Sequence, residues 1–285
     1  MSAVLDELIG LMSLERIEQG IYRGQSQDLG FGAVFGGQVL GQALSAAQQT
    51  VEAERDVHSF HSYFLRPGDV KHPIVYKVDV IRDGKGFSTR RVEAIQHGKT
   101  IFYLTASFQI DEQGVDHQAQ MPDVVGPELL VSELEFARAN QELIPSSIRD
   151  KFTCDKPIEI RPVELINPLK PEVLPPHRHI WLKANGSVPD NIATHKFLLA
   201  YASDFNFLTT ALQPHGRSFM DPNMKVATID HSIWFHRPFK FDDWLLYQID
   251  SPSASGARGL VRGQLFNRDG QLVASCVQEG VLRFK

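Results

Sequence analysis

Residues 228–238 read Thr228-Ile229-Asp230-His231-Ser232-Ile233-Trp234-Phe235-His236-Arg237-Pro238. The run is rich in β-branched and aromatic residues, which favour a β-strand, and its Arg-Pro pair ends the strand. A second run near the start of the chain has the same character and reads Val57-His58-Ser59-Phe60-His61-Ser62-Tyr63-Phe64-Leu65-Arg66-Pro67. Aligning the final prolines gives an offset of about 171 residues, which indicates that one half of the chain is a diverged copy of the other.

Other landmarks repeat at nearly the same offset. The turn signal His97-Gly98 matches Asp269-Gly270 at an offset of about 172, and Arg90 matches Arg258 at about 168. Each match is weak alone, but their agreement makes chance a poor explanation. We therefore expect three parts of the chain, which are an N-terminal unit over 1–112, a linker over 113–152 and a C-terminal unit over 153–285.

The composition is ordinary for a soluble globular protein and narrows the function classes. Of the 285 residues, 42% are hydrophobic and 22% are charged, and a chain of this length can bury a large core. The formal net charge of −5 comes without any basic stripe, which argues against nucleic acid as the main partner. The chain has no run of about 18 apolar residues, so no membrane span is predicted.

The cysteines and the chain ends favour a reducing, cytoplasmic setting. The two cysteines, Cys154 and Cys276, belong to no Cys-x-x-Cys pair, so neither a zinc knuckle nor a dithiol motif is expected. Free thiols are typical of reducing compartments. Residues 1–14 lack the basic start of a signal peptide, and the last residues are not a Ser-Lys-Leu-type address.

The first unit is predicted to contain strand, helix and then an antiparallel meander. A short amphipathic helix comes first, with Val4, Leu8, Leu11 and Leu14 on one face, followed by a strand at 17–22. Residues 34–47 have a helical period and three glycines, Gly36, Gly37 and Gly41, which we expect to let this helix lie close to a sheet. The meander strands are predicted at 57–66, 74–82, 87–97 and 100–110.

The second unit repeats this order after a polar, proline-containing stretch. Residues 111–150 are typical of a linker, with a helical patch at 129–140. A helix is predicted at 195–212 because its apolar residues share one stripe. The strands are predicted at 158–163, 177–183, 225–236, 244–250, 257–267 and 271–282. Each unit thus has one long helix and an antiparallel sheet, and the simplest α+β packing wraps the sheet around the helix and sets the units side by side.

Five segments resemble bacterial acyl-CoA thioesterase II. They are Phe35-Gly36-Gly37-Gln38-Val39-Leu40-Gly41-Gln42-Ala43-Leu44, residues 58–68, residues 229–238, Tyr201-Ala202-Ser203-Asp204-Phe205-Asn206-Phe207-Leu208 and Ala274-Ser275-Cys276-Val277-Gln278-Glu279-Gly280. The resemblance covers essentially the whole chain and is weakest in the linker. It implies a double hot-dog fold, that is, two tandem units, each a long helix wrapped by an antiparallel sheet. It also implies hydrolysis of medium- to long-chain fatty acyl-CoA to free acid and CoA, without metal or cofactor, by a homo-oligomer such as a dimer or tetramer.

Three polar residues lie at or beside apolar faces of their predicted elements, or out of phase with them. Asp204 is inside the predicted helix beside its apolar stripe, where a carboxylate is costly to bury without a partner. Gln278 is on the apolar and small-residue face of the last strand, where its amide needs partners. In the alternation of its strand, Thr228 points to the face opposite the apolar residues. From the pattern alone, each also fits a structural role: a solvent-facing acid, a satisfied core amide and an ordinary strand threonine.

The family resemblance gives these residues a common role. In thioesterase II relatives an Asp, a Thr or Ser, and a Gln of the second unit hold the hydrolytic water, and the corresponding residues are Asp204, Thr228 and Gln278. A thioester is reactive enough to need neither metal nor strong nucleophile. Asp204 would act as general base, Thr228 and Gln278 would orient the water, and backbone N–H groups near a helix start would bind the oxyanion. The acyl chain would lie in an apolar channel beside the second helix.

The first unit is not expected to hold a second site. The repeat offset sets Asp204 opposite residues 32–36, where the sequence has no acid. One active site per chain is therefore predicted, with the first unit as scaffold.

Histidines offer the main alternative chemistry. His58 could be a base for a serine or for water, although a hydrogen-bonded strand histidine is the simpler interpretation, and no Gly-x-Ser-x-Gly elbow is present. His61, His231 and His236 are interpreted as structural. His177 and His179 have ligand-like spacing but no evident third ligand. Three other functions stay open: a hot-dog hydratase or dehydratase of enoyl thioesters, a non-catalytic acyl-CoA-binding protein, and a covalent Ser or Cys esterase.

Overall fold

A computed structural model describes residues 2–30 and 32–284, so that Met1, Phe31 and Lys285, which fall within the predicted units, lie outside the described residues. The first half of the chain contains α1 (Ala3–Met12), β1 (Glu15–Glu18), β2 (Ile21–Gly24), α2 (Gly36–Gln48), β3 (Arg55–Phe64), β4 (Ile74–Asp83), β5 (Phe87–Gln96) and β6 (Lys99–Ile110). The meander and both helices predicted from the sequence are therefore present. The strand predicted at 17–22 is wrong, because Gln19 and Gly20 form a turn there and Gly20 has a positive φ of 71°.

The rest of the chain follows the same order with two added helices. It contains α3 (Glu133–Ala139), α4 (Ser146–Thr153), β7 (Ile158–Pro162), β8 (His177–Ala184), α5 (Ile192–Ala202), β9 (Met224–Thr228), β10 (Asp230–Phe235), β11 (Leu245–Ser255), β12 (Arg258–Asn267) and β13 (Leu272–Phe284). The helix predicted at 195–212 is wrong in its second half. Helix α5 ends at Ala202, and Asn206 adopts a left-handed φ of 60° before a 3-10 helix at Leu208–His215.

Within residues 2–30 and 32–284, the strands form one antiparallel sheet of thirteen strands. Their order is β1-β2-β4-β5-β6-β3-β10-β13-β12-β11-β8-β7, with β9 paired to β13 outside this path. The two halves meet at β3 and β10, where Phe60 lies opposite Ile233 and Ser59 opposite Trp234. The two similar runs of the sequence are thus neighbouring antiparallel strands at the centre of the sheet. The architecture is the α+β double hot-dog that the resemblance implies.

Helices α2 and α5 pack against each other, and glycines make this approach possible. A Cβ added to Gly37 would lie 2.1 Å from the carbonyl oxygen of Tyr201, and one added to Gly41 would lie 3.1 Å from that of Phe197. Both carbonyls belong to α5, so the expectation that these glycines face a sheet is wrong. Glycine is required at position 37, because any side chain there would collide with the backbone of the partner helix.

A β-bulge interrupts the strand predicted at 225–236. Thr228 pairs with Gly280, whereas Ser232 pairs with Val277, so the chain between them contains one extra residue. The equivalent strand β3 has a register shift in the same place, between Val57 and Ser59. The bulge is therefore a repeated feature of both halves, at the repeat offset of about 171 residues.

The segment between the halves packs onto the second half. The Trp181 indole N–H donates to the carbonyl of Val125 at 2.8 Å, and Met121 and Val124 join a small apolar cluster around Trp181. Helix α3 begins with a capping box between Ser132 and Glu135. Helix α3 lies within the helical patch predicted at 129–140, whereas α4 was not predicted. No helix of the described residues is long and apolar enough to cross a bilayer.

The close approach of α2 and α5 gives a first prediction. Replacing Gly37 with Ala should lower the free energy of unfolding by about 1–3 kcal/mol, because the new Cβ overlaps the Tyr201 carbonyl and the helices must separate. The measurement is urea denaturation followed by circular dichroism. Gly10→Ala in α1 is the matched control, since no heavy atom lies within 4 Å of its added Cβ, and a gain of about 0.5–1 kcal/mol is expected. Equal stability of the two variants would contradict the close contact between α2 and α5 at Gly37.

Candidate active site

Asp204 lies in the turn that follows α5, not inside the helix as the sequence suggested. The residue is partly exposed, and its carboxylate contacts both halves of the chain. Oδ1 accepts a hydrogen bond from Gln278 Nε2 at 3.2 Å, and Oδ2 accepts one from the backbone N–H of Gly37 at 3.1 Å. Gly37 is in the first turn of α2, so the carboxylate lies at the positive end of the first-half helix.

Gln278 connects the other residues of the predicted site. It lies on β13 and is fully buried. Its Nε2 donates to Asp204 Oδ1 and also to Thr228 Oγ1, at 2.7 Å. The structure thus brings Asp204, Thr228 and Gln278 within hydrogen-bond distance of one another, as their predicted common role requires.

The bulge before β10 explains how Thr228 reaches this site. In a regular strand, residues three positions apart point to opposite faces of the sheet. Because one residue between them is extra, Thr228 and His231 point to the same face, and both contact Gln278. The strict alternation assumed for this strand, with Thr228 opposite the apolar residues, is therefore wrong.

His231 fixes the orientation of the Gln278 amide. Since Gln278 Nε2 faces the Asp204 carboxylate, its Oε1 must face His231 Nδ1, which lies 2.9 Å away. An amide oxygen only accepts, so Nδ1 carries the proton. Burial lowers the pKa of His231 to about 4, which keeps the ring neutral. Nε2 then faces the Ser203 hydroxyl at 3.0 Å, and this hydroxyl shares its proton with the Ala200 carbonyl at 2.9 Å. A hydrogen-bond chain therefore runs from Ser203 through His231 and Gln278 to Asp204.

The environment of Asp204 places its titration close to neutral pH. Burial raises the pKa of Asp204 to about 6, and hydrogen bonds from Gln278, the Gly37 N–H and Thr228 oppose this rise by stabilising the ionised form. The carboxylate is therefore mostly ionised at pH 7. An ionised carboxylate can accept a proton from water.

The first half contributes backbone to this site but has no equivalent set of side chains. Thr228 corresponds to Val57 at the offset of about 171, and Gln278 corresponds to Ala106 at the offset of about 172 given by the last hairpin; both of these residues are fully buried and apolar. The described residues of the first half thus hold no copy of the trio. The expectation that this half is only a scaffold is too narrow, because Gly37 donates directly to Asp204.

His58, the main alternative base, lies apart from this network. It occupies the bulge of β3, and its Nε2 is 2.8 Å from Ser107 Oγ on the neighbouring strand. Burial, with Lys196 nearby, lowers the pKa of His58. These contacts fit the structural interpretation of a hydrogen-bonded strand histidine.

Two possible nucleophiles are buried. Ser203 and His231 are 3.0 Å apart and resemble a nucleophile with its base, but both are fully buried. Cys276 is also buried, contacts the Tyr247 hydroxyl at 3.0 Å, and has its pKa raised to about 12 by burial. None of these groups can meet a substrate in this conformation, which weighs against the covalent alternative.

The described residues contain one group of side chains spaced like metal ligands. Asp69, His72 and His97 present ligand atoms within 4.8 Å of one another, at the surface of the first half. Both imidazoles lie within hydrogen-bond distance of Asp69 Oδ2, at 2.8 and 3.2 Å. His179, for which metal binding was considered, contacts Glu164 Oε1 at 3.0 Å instead.

Comparisons with known proteins agree with the fold and narrow the activity. A family profile described as acyl-CoA thioesterase matches residues 147–281, and one described as acyl-CoA thioesterase N-terminal domain matches residues 25–109. The chain is 49% identical to acyl-CoA thioesterase 2 of Haemophilus influenzae over 284 residues, which covers 100% of this chain and 99% of the relative.

Solved structures extend this similarity. Acyl-CoA thioesterase II TesB2 of Mycobacterium marinum is 36% identical, with a TM-score of 0.79 and 98% of each chain covered. A hot-dog protein of unknown function from Alicyclobacillus acidocaldarius is 18% identical, with a TM-score of 0.78 over 100% of both chains. The second likeness supports the fold alone.

The role of His231 gives a prediction for stability. His231→Phe keeps the ring shape but leaves Gln278 Oε1 and the Ser203 hydroxyl without their ring partner in the core. We expect the free energy of unfolding to fall by at least about 1–3 kcal/mol in urea denaturation. His236→Phe is the matched control, because its hydrogen bond to Ser275 is at the surface, and a change within about 0.5 kcal/mol is expected. A neutral effect of His231→Phe would exclude the orienting role.

Proposed function

Because the chain belongs to the acyl-CoA thioesterase II family and is a thioester hydrolase that cleaves acyl-CoA, we propose that Asp204, Thr228 and Gln278 hold and activate the attacking water. The observation that carries this proposal is the Asp204 carboxylate, which is hydrogen-bonded to Gln278 beside the Thr228 hydroxyl. A base of this kind is most effective when its pKa lies near the working pH, and the pKa of Asp204 is about 6.

Each residue has a separate task in the proposed reaction. Gln278 and the Gly37 N–H each occupy one oxygen of the Asp204 carboxylate and fix its plane. The remaining lone pairs can accept a proton from water. Thr228, whose oxygen accepts from Gln278, lies beside the carboxylate and helps to orient this water toward the thioester carbonyl.

In the proposed reaction, water attacks the thioester directly and no covalent enzyme intermediate forms. The water oxygen bonds to the carbonyl carbon while Asp204 takes one of its protons. The tetrahedral oxyanion then collapses, the carbon–sulfur bond breaks, and the thiolate of CoA leaves and receives a proton. Backbone N–H groups near a helix start are the proposed oxyanion donors, other than the Gly37 N–H that Asp204 already engages.

Substrate length, oligomeric state, location and domain bounds are also proposed. We propose medium- to long-chain fatty acyl-CoA as substrate. Aromatic side chains beside Asp204 support this, since the rings of Phe205 and Phe35 stack with their centroids 4.4 Å apart. We also propose a homo-oligomer, dimer or tetramer, and a cytoplasmic location. The division into 1–112, 113–152 and 153–285 is proposed as well, supported by the separate family profiles of the two halves.

The proposed base gives a direct test. Asp204→Asn should lower kcat for acyl-CoA by about 10²–10⁴-fold, because an amide cannot accept the proton of water. Thiol release from palmitoyl-CoA measures the effect, and circular dichroism checks the fold. Asp230→Asn is the matched control, since Asp230 is also a partly buried carboxylate with a raised pKa, and an Asn can keep its acceptor bond from the Glu279 N–H. Full turnover by Asp204→Asn would refute the role of Asp204.

The pKa of Asp204 predicts the pH dependence. The pKa is raised to about 6, so the base is protonated below this pH and ionised above it. We expect kcat/KM to rise about tenfold between pH 5 and pH 7 and to level off above pH 7. Initial rates of thiol release across this range are the measurement. A rate that is constant from pH 5 to pH 8 would mean that another group, or none, supplies the base.

A further inference from the structure

A partly open cavity lies between the segment that joins the two halves and the second half. Its volume is about 190 Å³. Helices α3 and α4, the loop after β7 and the residues before β9 form its walls, which are predominantly apolar. Prominent wall residues are Phe136, Leu143, Ile144, Phe152, Phe219 and Met220.

Three polar residues of the cavity wall form one hydrogen-bonded group. Arg178 Nη1 donates to Asn206 Oδ1 at 3.1 Å, and Asn206 Nδ2 donates to Glu133 Oε1 at 2.9 Å. Arg178 is buried, and Glu133 supplies the opposite charge. The group is therefore close to neutral as a whole, and its one cation already has an acidic neighbour.

The cavity begins close to the catalytic turn. Asn206 is two residues after Asp204, and a chain can span at most about 3.6 Å per residue, so the two Cα atoms lie within about 7 Å. The left-handed φ of 60° at Asn206 turns the chain at this point. A long substrate whose thioester lies at Asp204 therefore has an apolar volume within reach.

We propose that this cavity receives the distal part of the acyl chain during hydrolysis. The proposal rests on the proposed function of Asp204, and it makes the segment between the two halves a wall of the substrate site. Hydrocarbon is the occupant that fits, because an apolar cavity of about 150 Å³ in another protein binds benzene and stays dry without it. A free anion fits less well, because both arginines of the wall have an acidic neighbour: Glu133 lies near Arg178, and Asp221 pairs with Arg217 at 3.1 Å.

The choice of acyl length would then depend on α3. This helix has only seven residues, and its capping box holds its first turn in place. Ala137 of α3 lines the cavity, whereas Ala139 of the same helix is exposed and does not. A larger side chain at 137 should therefore shorten the space for the chain, and one at 139 should not.

The test compares Ala137→Phe with Ala139→Phe, a matched pair with the same substitution in one helix. The quantity measured is the ratio of kcat/KM for palmitoyl-CoA to kcat/KM for butanoyl-CoA. Each buried methylene contributes about fourfold to binding, so a ring that displaces two or more should lower the ratio at least about tenfold. Ala137→Phe should show this fall, and Ala139→Phe should keep the wild-type ratio.

The outcomes separate this proposal from the proposed function. If the ratio is the same in both variants, the cavity does not hold the acyl chain, while the role of Asp204 is unaffected. If Asp204→Asn hydrolyses palmitoyl-CoA at the wild-type rate, the role of Asp204 fails whatever the ratio shows. Circular dichroism and urea denaturation establish that both alanine variants are folded.

A second measurement does not depend on the fold of Ala137→Phe. A palmitoyl-CoA analogue with a diazirine near its methyl end is bound to the Asp204→Asn protein and irradiated, and the labelled peptides are identified by mass spectrometry. Labelling is expected within segments 133–152 or 217–220, which contribute residues to the cavity wall. Labelling confined to other segments would overturn the proposal.

Discussion

The hydrogen bond from the Gly37 N–H to Asp204 joins the two halves of the chain at the site. It requires the first turn of α2 to lie against the turn that follows α5, although 167 residues separate the two in sequence. This proximity is possible only if α2 presents no side chain at its point of contact with α5, where the Tyr201 carbonyl would meet a Cβ at Gly37. The glycines of α2 thus serve packing and chemistry together.

Burial of Asp204 creates the need for its partners. Desolvation alone would keep the carboxyl protonated, and a protonated carboxyl is a poor base. Three donors, from Gln278, Thr228 and the Gly37 backbone, restore part of the lost hydration energy and hold the pKa to about 6. Because Gln278 is itself fully buried, it needs His231, which in turn needs Ser203. One partly exposed acid therefore accounts for a buried polar chain.

The sequence predicted the repeated fold more completely than the site. The repeat offset identified both halves of the chain. Most strands could be predicted because β-rich runs and turn signals are local features of the sequence. The end of α5 was missed because the apolar stripe continues past Ala202, and only the left-handed Asn206 shows that the helix has stopped. The trio came from family resemblance. The Gly37 contribution comes from the backbone and so has no side-chain signal in the sequence. The contact of His231 with Gln278 depends on a bulge that the sequence pattern does not show.

The same bulge in both halves shows why only one half carries the polar chain. At the repeat offset of about 171, Thr228 and His231 correspond to Val57 and Phe60, and at the offset of about 172 given by the last hairpin Gln278 corresponds to Ala106. All three first-half residues are fully buried. A single polar residue introduced there would lack a partner and would cost about 1–3 kcal/mol. The network is stable only when its members are present together, so the apolar residues at these three positions are the stable alternative in the first half.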